Sequence, residues 1–243
     1  MRKLHIYKSE KETCYAFAKW LVELIKETLD KQDTFTLSLS SGDIPKLFFK
    51  ILAADFATEI DWSRIHIFSG DEKFVSFSNN KNSSSSAINI LCEGLPIVKE
   101  QFHTIRTDIS PQKSCEEYEA LLRKYLKDSN QTFDLVILGM DEQGDVPSLL
   151  SQTEETIHRD EWVLPVYDKE EDIYRVALTM SAINASSVKA FLVTGKKKED
   201  IVEKVLKGKY EPEKYPAQLI DSSNKPVHWF LDEGAATKLI KPL

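Results

Sequence analysis

The segment that most constrains the fold of this 243-residue chain is 133–150, FDLVILGMDEQGDVPSLL. Phe133, Leu135, Val136, Ile137 and Leu138 form a nearly continuous apolar run, interrupted by Asp134 and ended by Gly139. A strand with one wet face alternates apolar and polar residues. A run without alternation needs cover on both faces, as a parallel strand has between two layers of helices. The polar stretch that follows lies where such a strand ends, which is the side on which open α/β sheets hold their ligands.

The rest of the chain alternates in the same sense. Residues 4–7, 35–39, 65–68, 175–179, 188–194 and 227–231 read as strands. Residues 11–29 read as an amphipathic helix, with Ala16, Trp20, Leu21, Leu24 and Ile25 at helical spacing. Further helices are predicted over 45–53, 87–91, 114–126, 197–206 and 233–239. Asp43 just ahead of Pro45 is a good helix-start signal. Ser69-Gly70-Asp71-Glu72-Lys73 reads as a loop leaving a strand, and the Ser- and Asn-rich stretch 76–86 as a surface loop. This βαβα order predicts an α/β fold, a mostly parallel sheet with helices on both faces. No internal repeat or low-complexity linker interrupts it, so residues 1–243 read as one domain.

At 42% hydrophobic residues the chain can bury a large core. The net charge of −7 argues against a general nucleic-acid or anionic-membrane surface. No apolar run approaches the ~20 residues that span a bilayer, and the N-terminus lacks the apolar core of a signal peptide. Cys14, Cys92 and Cys115 are odd in number and lack metal-ligand spacing, so they read as reduced thiols of a cytoplasmic protein. The sequence carries no signal for oligomeric state. It contains no Walker A loop, GxGxxG, HExxH or paired cysteines that would predict a nucleotide or metal site.

Six segments together identify a family. LSLSSGDIPK at 37–46 resembles an LSGGSTPK loop, and FSGDEKFV at 68–75 resembles FxGDERxV. Segment 133–150 resembles FDLxLLGMGxDGHTASLF. YRVALTMSAINA at 174–185 resembles RxTLTxxxINxA, and FLVTGKKK at 191–198 resembles FLVxGxxK. YPAQLI at 215–220 with HWFLDE at 228–233 resembles a closing PAQLI…WFLD. In this order, over residues 3–240, they resemble the 6-phosphogluconolactonase family, which shares a superfamily with the glucosamine-6-phosphate deaminases. The resemblance implies a Rossmann-like three-layer α/β/α sandwich. It also implies hydrolysis of 6-phosphogluconolactone to 6-phosphogluconate in the oxidative pentose phosphate pathway, without cofactor or metal.

Lactone hydrolysis needs a base to activate water, donors for the developing oxyanion and cations for the phosphate. The family's base is the His of GxDGHTAS, and Asp145 stands at that position. An aspartate carboxylate, ordinarily titrating near ~3.9, is a weaker base than imidazole at ~6.5. Gln143 replaces the family Asp, and Val146-Pro147 the Thr-Ala pair; the bland reading of 143–147 is a plain turn. Of the five histidines, none restores the base by sequence position. His66 is the one to examine, because its strand leads into the Asp71 loop. In the phosphate loop, GGST becomes Ser41-Gly42-Asp43-Ile44. Asp43 caps the helix that follows and so occupies the anion position itself. At ~4 Å, two unit charges repel by about 4 kcal/mol in an effective dielectric of ~20, which predicts weakened phosphate binding. Asp71 and Glu72 keep the family's acidic pair. Lys73 replaces its Arg, and Arg175 and Lys198 stand where the family places cations near phosphate. The scrambled stretch 79–84 receives no chemical role.

Three readings follow. In the first, the chain is a 6-phosphogluconolactonase with a substituted site. Asp145 is its base or water-positioner, Asp71 orients the sugar or a cation, and Ser41, Gly42, Asp43, Lys73, Arg175 and Lys198 line the substrate site. In the second it is a catalytically impaired homologue that binds a sugar phosphate or a protein partner. In the third it is a hydrolase or isomerase of a less anionic sugar, with Asp43 accepting a hydroxyl.

Overall fold

The computed structural model describes residues 2–39, 46–126, 132–146, 160–169, 171–220 and 223–240. Its strands are β1 (Arg2–Tyr7), β2 (Phe35–Leu39), β3 (Ile65–Ser69), β4 (Asp71–Lys73), β5 (Phe102–His103), β6 (Leu135–Leu138), β7 (Val163–Asp168), β8 (Ile173–Leu178), β9 (Val188–Val193) and β10 (Val227–Asp232). The helices are α1 (Glu10–Leu29), α2 (Lys46–Asp55), α3 (Ser83–Gly94), α4 (Pro111–Tyr125), α5 (Met180–Asn184), α6 (Glu199–Lys207) and α7 (Thr237–Ile240).

Seven strands form one parallel sheet in the order β1-β10-β9-β6-β2-β3-β5. The apolar run of 135–138 is its centre. Leu135 and Ile137 point into a core shared with α1, α2 and α3, while Val136 and Leu138 point into a second core with α4 and α6. β9 divides in the same way, Ala190 and Leu192 to one side and Phe191 and Val193 to the other. This is the α/β/α arrangement expected of a strand without polar alternation. The interrupting Asp134 also has a role. Its Oδ2 accepts the backbone N–H and hydroxyl of Thr36, each at 2.8 Å, and its Oδ1 accepts from Gln32 at 3.0 Å, which clamps β6 to β2.

From β2 the chain steps outward through β3 to β5, whereas from β6 it steps the other way through β9 to β10. The crevice beyond the C-terminal ends of β2 and β6 is therefore a topological switch point.

Several expectations need correction. The buried stripe of α1 runs through Phe17, Leu21 and Ile25, rotated from the one predicted around Ala16 and Trp20. The supposed loop 69–73 contains β4, which with β8 and β7 forms a second, antiparallel sheet in the order β4-β8-β7. β7 escaped notice because Pro165 sits inside it, and proline is tolerated there as β7 is an edge strand. α3 begins at Ser83, four residues earlier than expected, because the Asn82 side chain accepts from Ser85 N at 2.8 Å. The closing helix is the single turn of α7, since Asp232 first caps Ala235 N at 2.7 Å.

Candidate active site

A cavity of about 680 Å³ lies at the C-terminal ends of β2, β3, β6 and β9, reached by Leu39, Ser69, Gly139, Met140, Thr194 and Gly195. Asp71, Lys73 and Arg175 of the small sheet form one wall, and Asp141 and Lys198 another. Lys46, at the start of α2, and residues 80–84 also line it.

Gly70 joins the two sheets. Its N–H donates to the Leu39 carbonyl at 2.7 Å, and its own carbonyl accepts from Leu178 N at 2.8 Å. A Cβ there would lie 3.0 Å from Ser38 Oγ and 3.1 Å from the Leu39 carbonyl oxygen, so a side chain at this position would crowd the end of β2.

The acidic pair divides its labour. Asp71 is buried and its Oδ2 accepts from Arg175 Nη1 at 3.2 Å. Arg175 also donates Nε to Asp168 at 3.1 Å and Nη2 to Glu171 at 3.5 Å. One buried guanidinium thus faces three carboxylates. Glu72, also buried, turns the other way. Its Oε1 accepts Ser83 N at 2.9 Å and the Ser83 hydroxyl at 2.8 Å, and its Oε2 accepts Ser84 N at 2.8 Å. With Asn82 it satisfies the first donors of α3, where a negative charge is favoured.

Lys73 lies directly across from Arg175 in the small sheet. Its ammonium pairs with Glu171, which also pairs with Lys81 at 3.3 Å. Lys198 is the last residue of a one-turn 3-10 segment that leaves β9 through Gly195, whose φ of +97° suits glycine. Its Nζ donates to the Met140 carbonyl at 2.9 Å.

The loop after β6 is a tight turn. Asp141 Oδ1 accepts Gln143 N at 2.9 Å and Asp145 N at 2.8 Å, and Asp141 N donates to the Asp145 carbonyl at 3.0 Å. Gly144 has φ +88°, and a Cβ on it would meet Ile201 at 2.8 Å. Asp141 lines the cavity. Asp145 is half-buried and is not among the described residues that line it.

Of the histidines, His103 lines the cavity and His66 does not. The two rings meet at 3.0 Å between His66 Nδ1 and His103 Nε2. His103 also stacks on Phe68 and meets Tyr125 at a tilt of 48°. Burial first, and then the neighbouring His66, push the His103 pKa down to about 4. Burial also lowers that of His66.

Of the residues singled out from sequence, then, Asp71, Lys73, Arg175 and Lys198 converge on the cavity, while Asp145 sits on the same turn as Asp141 without being among the described residues that line it. Ser41, Gly42 and Asp43 lie outside the described residues. Sequence reasoning missed Lys46, Lys81, Asp141, Asp168 and Glu171. Lys46 and Asp141 were present within the matched segments, whereas 168–171 offered only a run of charge. The stretch given no role, 79–84, supplies cavity wall and the caps of α3. Among the described residues no cluster of three or more His, Cys, Asp or Glu is arranged to hold a metal ion, and no helix is long and apolar enough to cross a membrane.

A family profile described as glucosamine-6-phosphate isomerases/6-phosphogluconolactonase matches residues 8–229. The chain belongs to this family. It is similar to a 6-phosphogluconolactonase of Aggregatibacter actinomycetemcomitans, 30% identical over 204 residues that cover 84% of this chain and 87% of that protein. It is also similar to a probable 6-phosphogluconolactonase 2 of Oryza sativa, 26% identical over 98% of this chain and 90% of that protein. Among solved structures, the 6-phosphogluconolactonase of Thermotoga maritima superposes with a TM-score of 0.81 at 25% identity, covering 96% of this chain and 100% of that one. A monomeric glucosamine-6-phosphate deaminase, at 18% identity and a TM-score of 0.82 over 97% of this chain and 99% of that one, shares the fold.

Proposed function

We propose that this chain is a 6-phosphogluconolactonase-type hydrolase, opening 6-phosphogluconolactone to 6-phosphogluconate. The observation that carries the reading is convergence. Asp71, Lys73, Arg175 and Lys198 come from three separate segments that resemble the family's, and they line one cavity at the switch point of the sheet. The names borne by its relatives support the same reaction.

In this reading water adds to the lactone carbonyl, the ring ester bond breaks, and the products are a carboxylate and a hydroxyl. Asp145 takes the proton of the attacking water, and Asp71 holds the sugar. Lys198, with Lys73 and Arg175, faces the phosphate. Ser41 and Gly42 supply backbone donors, and Asp43 weakens their hold on the anion.

A second reading is a homologue that binds the sugar phosphate and turns it over poorly. It is favoured by one observation: the carboxylate of this loop that lines the cavity is Asp141, and its Oδ1 is occupied by two backbone donors. Hydrolysis of freshly generated 6-phosphogluconolactone, compared with the spontaneous rate, separates the two. Acceleration abolished by Asp145→Ala supports the hydrolase with a carboxylate base. A rate equal to the spontaneous one, with 6-phosphogluconate still bound, supports the second reading.

A further inference from the structure

Three cations from three different segments meet at one edge of the cavity. Lys73 comes from β4, Lys81 from the segment before α3, and Arg175 from β8. Lys73 and Arg175 are directly opposed across the antiparallel ladder, an arrangement that is unfavourable for like charges. Glu171 resolves it. Its Oε1 pairs with Lys73 and lies 3.5 Å from Arg175 Nη2, and its Oε2 lies 3.3 Å from Lys81 Nζ.

The placement of Glu171 is built into the β7–β8 turn. Its N–H donates to Asp168 Oδ1 at 3.1 Å, and Asp172 takes φ +55° with the Tyr167 hydroxyl on its carboxylate. The neighbours of Arg175 differ from those of the lysines. Arg175 keeps Asp71 and Asp168 whatever Glu171 does. For Lys73 and Lys81, Glu171 is the carboxylate partner among the described residues. The Glu171 side chain is about a third exposed, at 32%, so it can leave without opening the core.

We propose that Glu171 is a specificity-determining residue. Its carboxylate holds the place of a ligand's anionic group on Lys73 and Lys81, so a phosphorylated ligand binds there only by displacing it. The consequence is a site that is neutralised from within and selects against weakly charged anions. This rests on reading the cavity as a sugar-phosphate site.

The test is binding rather than turnover, with inorganic phosphate and 6-phosphogluconate as probes in calorimetry at low and high salt. Glu171→Gln keeps the shape and removes the charge. It is expected to bind both probes ~5- to 10-fold more tightly than the parent protein at low salt, with the gain shrinking as salt rises. Lys81→Gln is expected to weaken binding more in the Glu171→Gln background than in the parent, because in the parent the loss of Lys81 also loosens the carboxylate that the ligand must displace. Lys81 is 60% exposed, so its loss leaves the fold intact. Unchanged or weaker binding by folded Glu171→Gln overturns the proposal, as does an equal effect of Lys81→Gln in both backgrounds. Lactone turnover by the parent protein reports on the proposed function separately, since it can persist while Glu171→Gln binds no better.

Discussion

Glu72 Oε1 lies 2.9 Å from the backbone nitrogen of Ser83, so a carboxylate at the end of one sheet closes the N-terminus of a helix in the neighbouring layer. Glu72 receives three further donors: Lys73 N, Ser84 N and the Ser83 hydroxyl. Its loss strands buried donors and removes a favourable charge from a helix start. Glu72→Ala is expected to lower stability by about 2 kcal/mol. Urea denaturation measures this; an unchanged midpoint would show that α3 does not depend on the contact.

Arg175 has a structural part beside the binding role proposed for it. It neutralises Asp71 and Asp168, both buried, so Arg175→Met leaves carboxylates uncompensated and is expected to cost about 3–5 kcal/mol. Arg175→Lys keeps the charge but cannot reach both partners with a planar fork. It is expected to fold with intermediate stability. Thermal melting of the two variants orders them, and equal losses would argue that geometry matters here more than charge.

Two buried histidines set an acid limit. His103 and His228 are each pushed down to about 4, chiefly by burial, from an ordinary 6.5. The unfolded chain therefore binds protons on these rings at a pH where the folded chain does not. Their contribution is present above about 6.5 and is lost as pH falls from there toward 4. Stability should decline across that window, and His103→Gln should flatten the decline. Urea midpoints at pH 7.5 and 5 for both proteins check this; parallel declines would remove His103 from the account.

Restoring the family's residues tests the account of the altered site. Asp145→His combined with Ser41→Gly, Asp43→Ser and Ile44→Thr supplies an imidazole base and a loop without its carboxylate. The combined variant is expected to hydrolyse 6-phosphogluconolactone ~10²-fold faster than the parent, the lower range for a positioned general base. No gain in initial rate would sink the idea that these positions limit the chain.

The sequence made the parallel scaffold legible through one physical rule. Residues 135–138 lack alternation, and that demanded helices on both faces. The small antiparallel sheet stayed hidden because β4 is three residues of charge and β7 contains Pro165. The roles of Asp71 and Glu72 were hidden for another reason. Adjacent carboxylates read alike in sequence, yet the alternation of a strand sends one to Arg175 and the other to α3. Asp145 was singled out by position in a matched segment, but exposure of a turn residue depends on which side chain closes the turn. Here that residue is Asp141. Glu171 carried no sequence signal, since its partners are 4, 90 and 98 residues away.

The joint at Gly70 bears on how such a site can change. Because both of its peptide groups are committed, one to each sheet, the span between the cations of the hairpin and the loops of the main sheet is fixed by main-chain geometry. Side chains around the cavity can be exchanged, and its charge inverted in places, while the aperture keeps its width. A scaffold of this kind separates the dimensions of what fits from the chemistry of what is done to it.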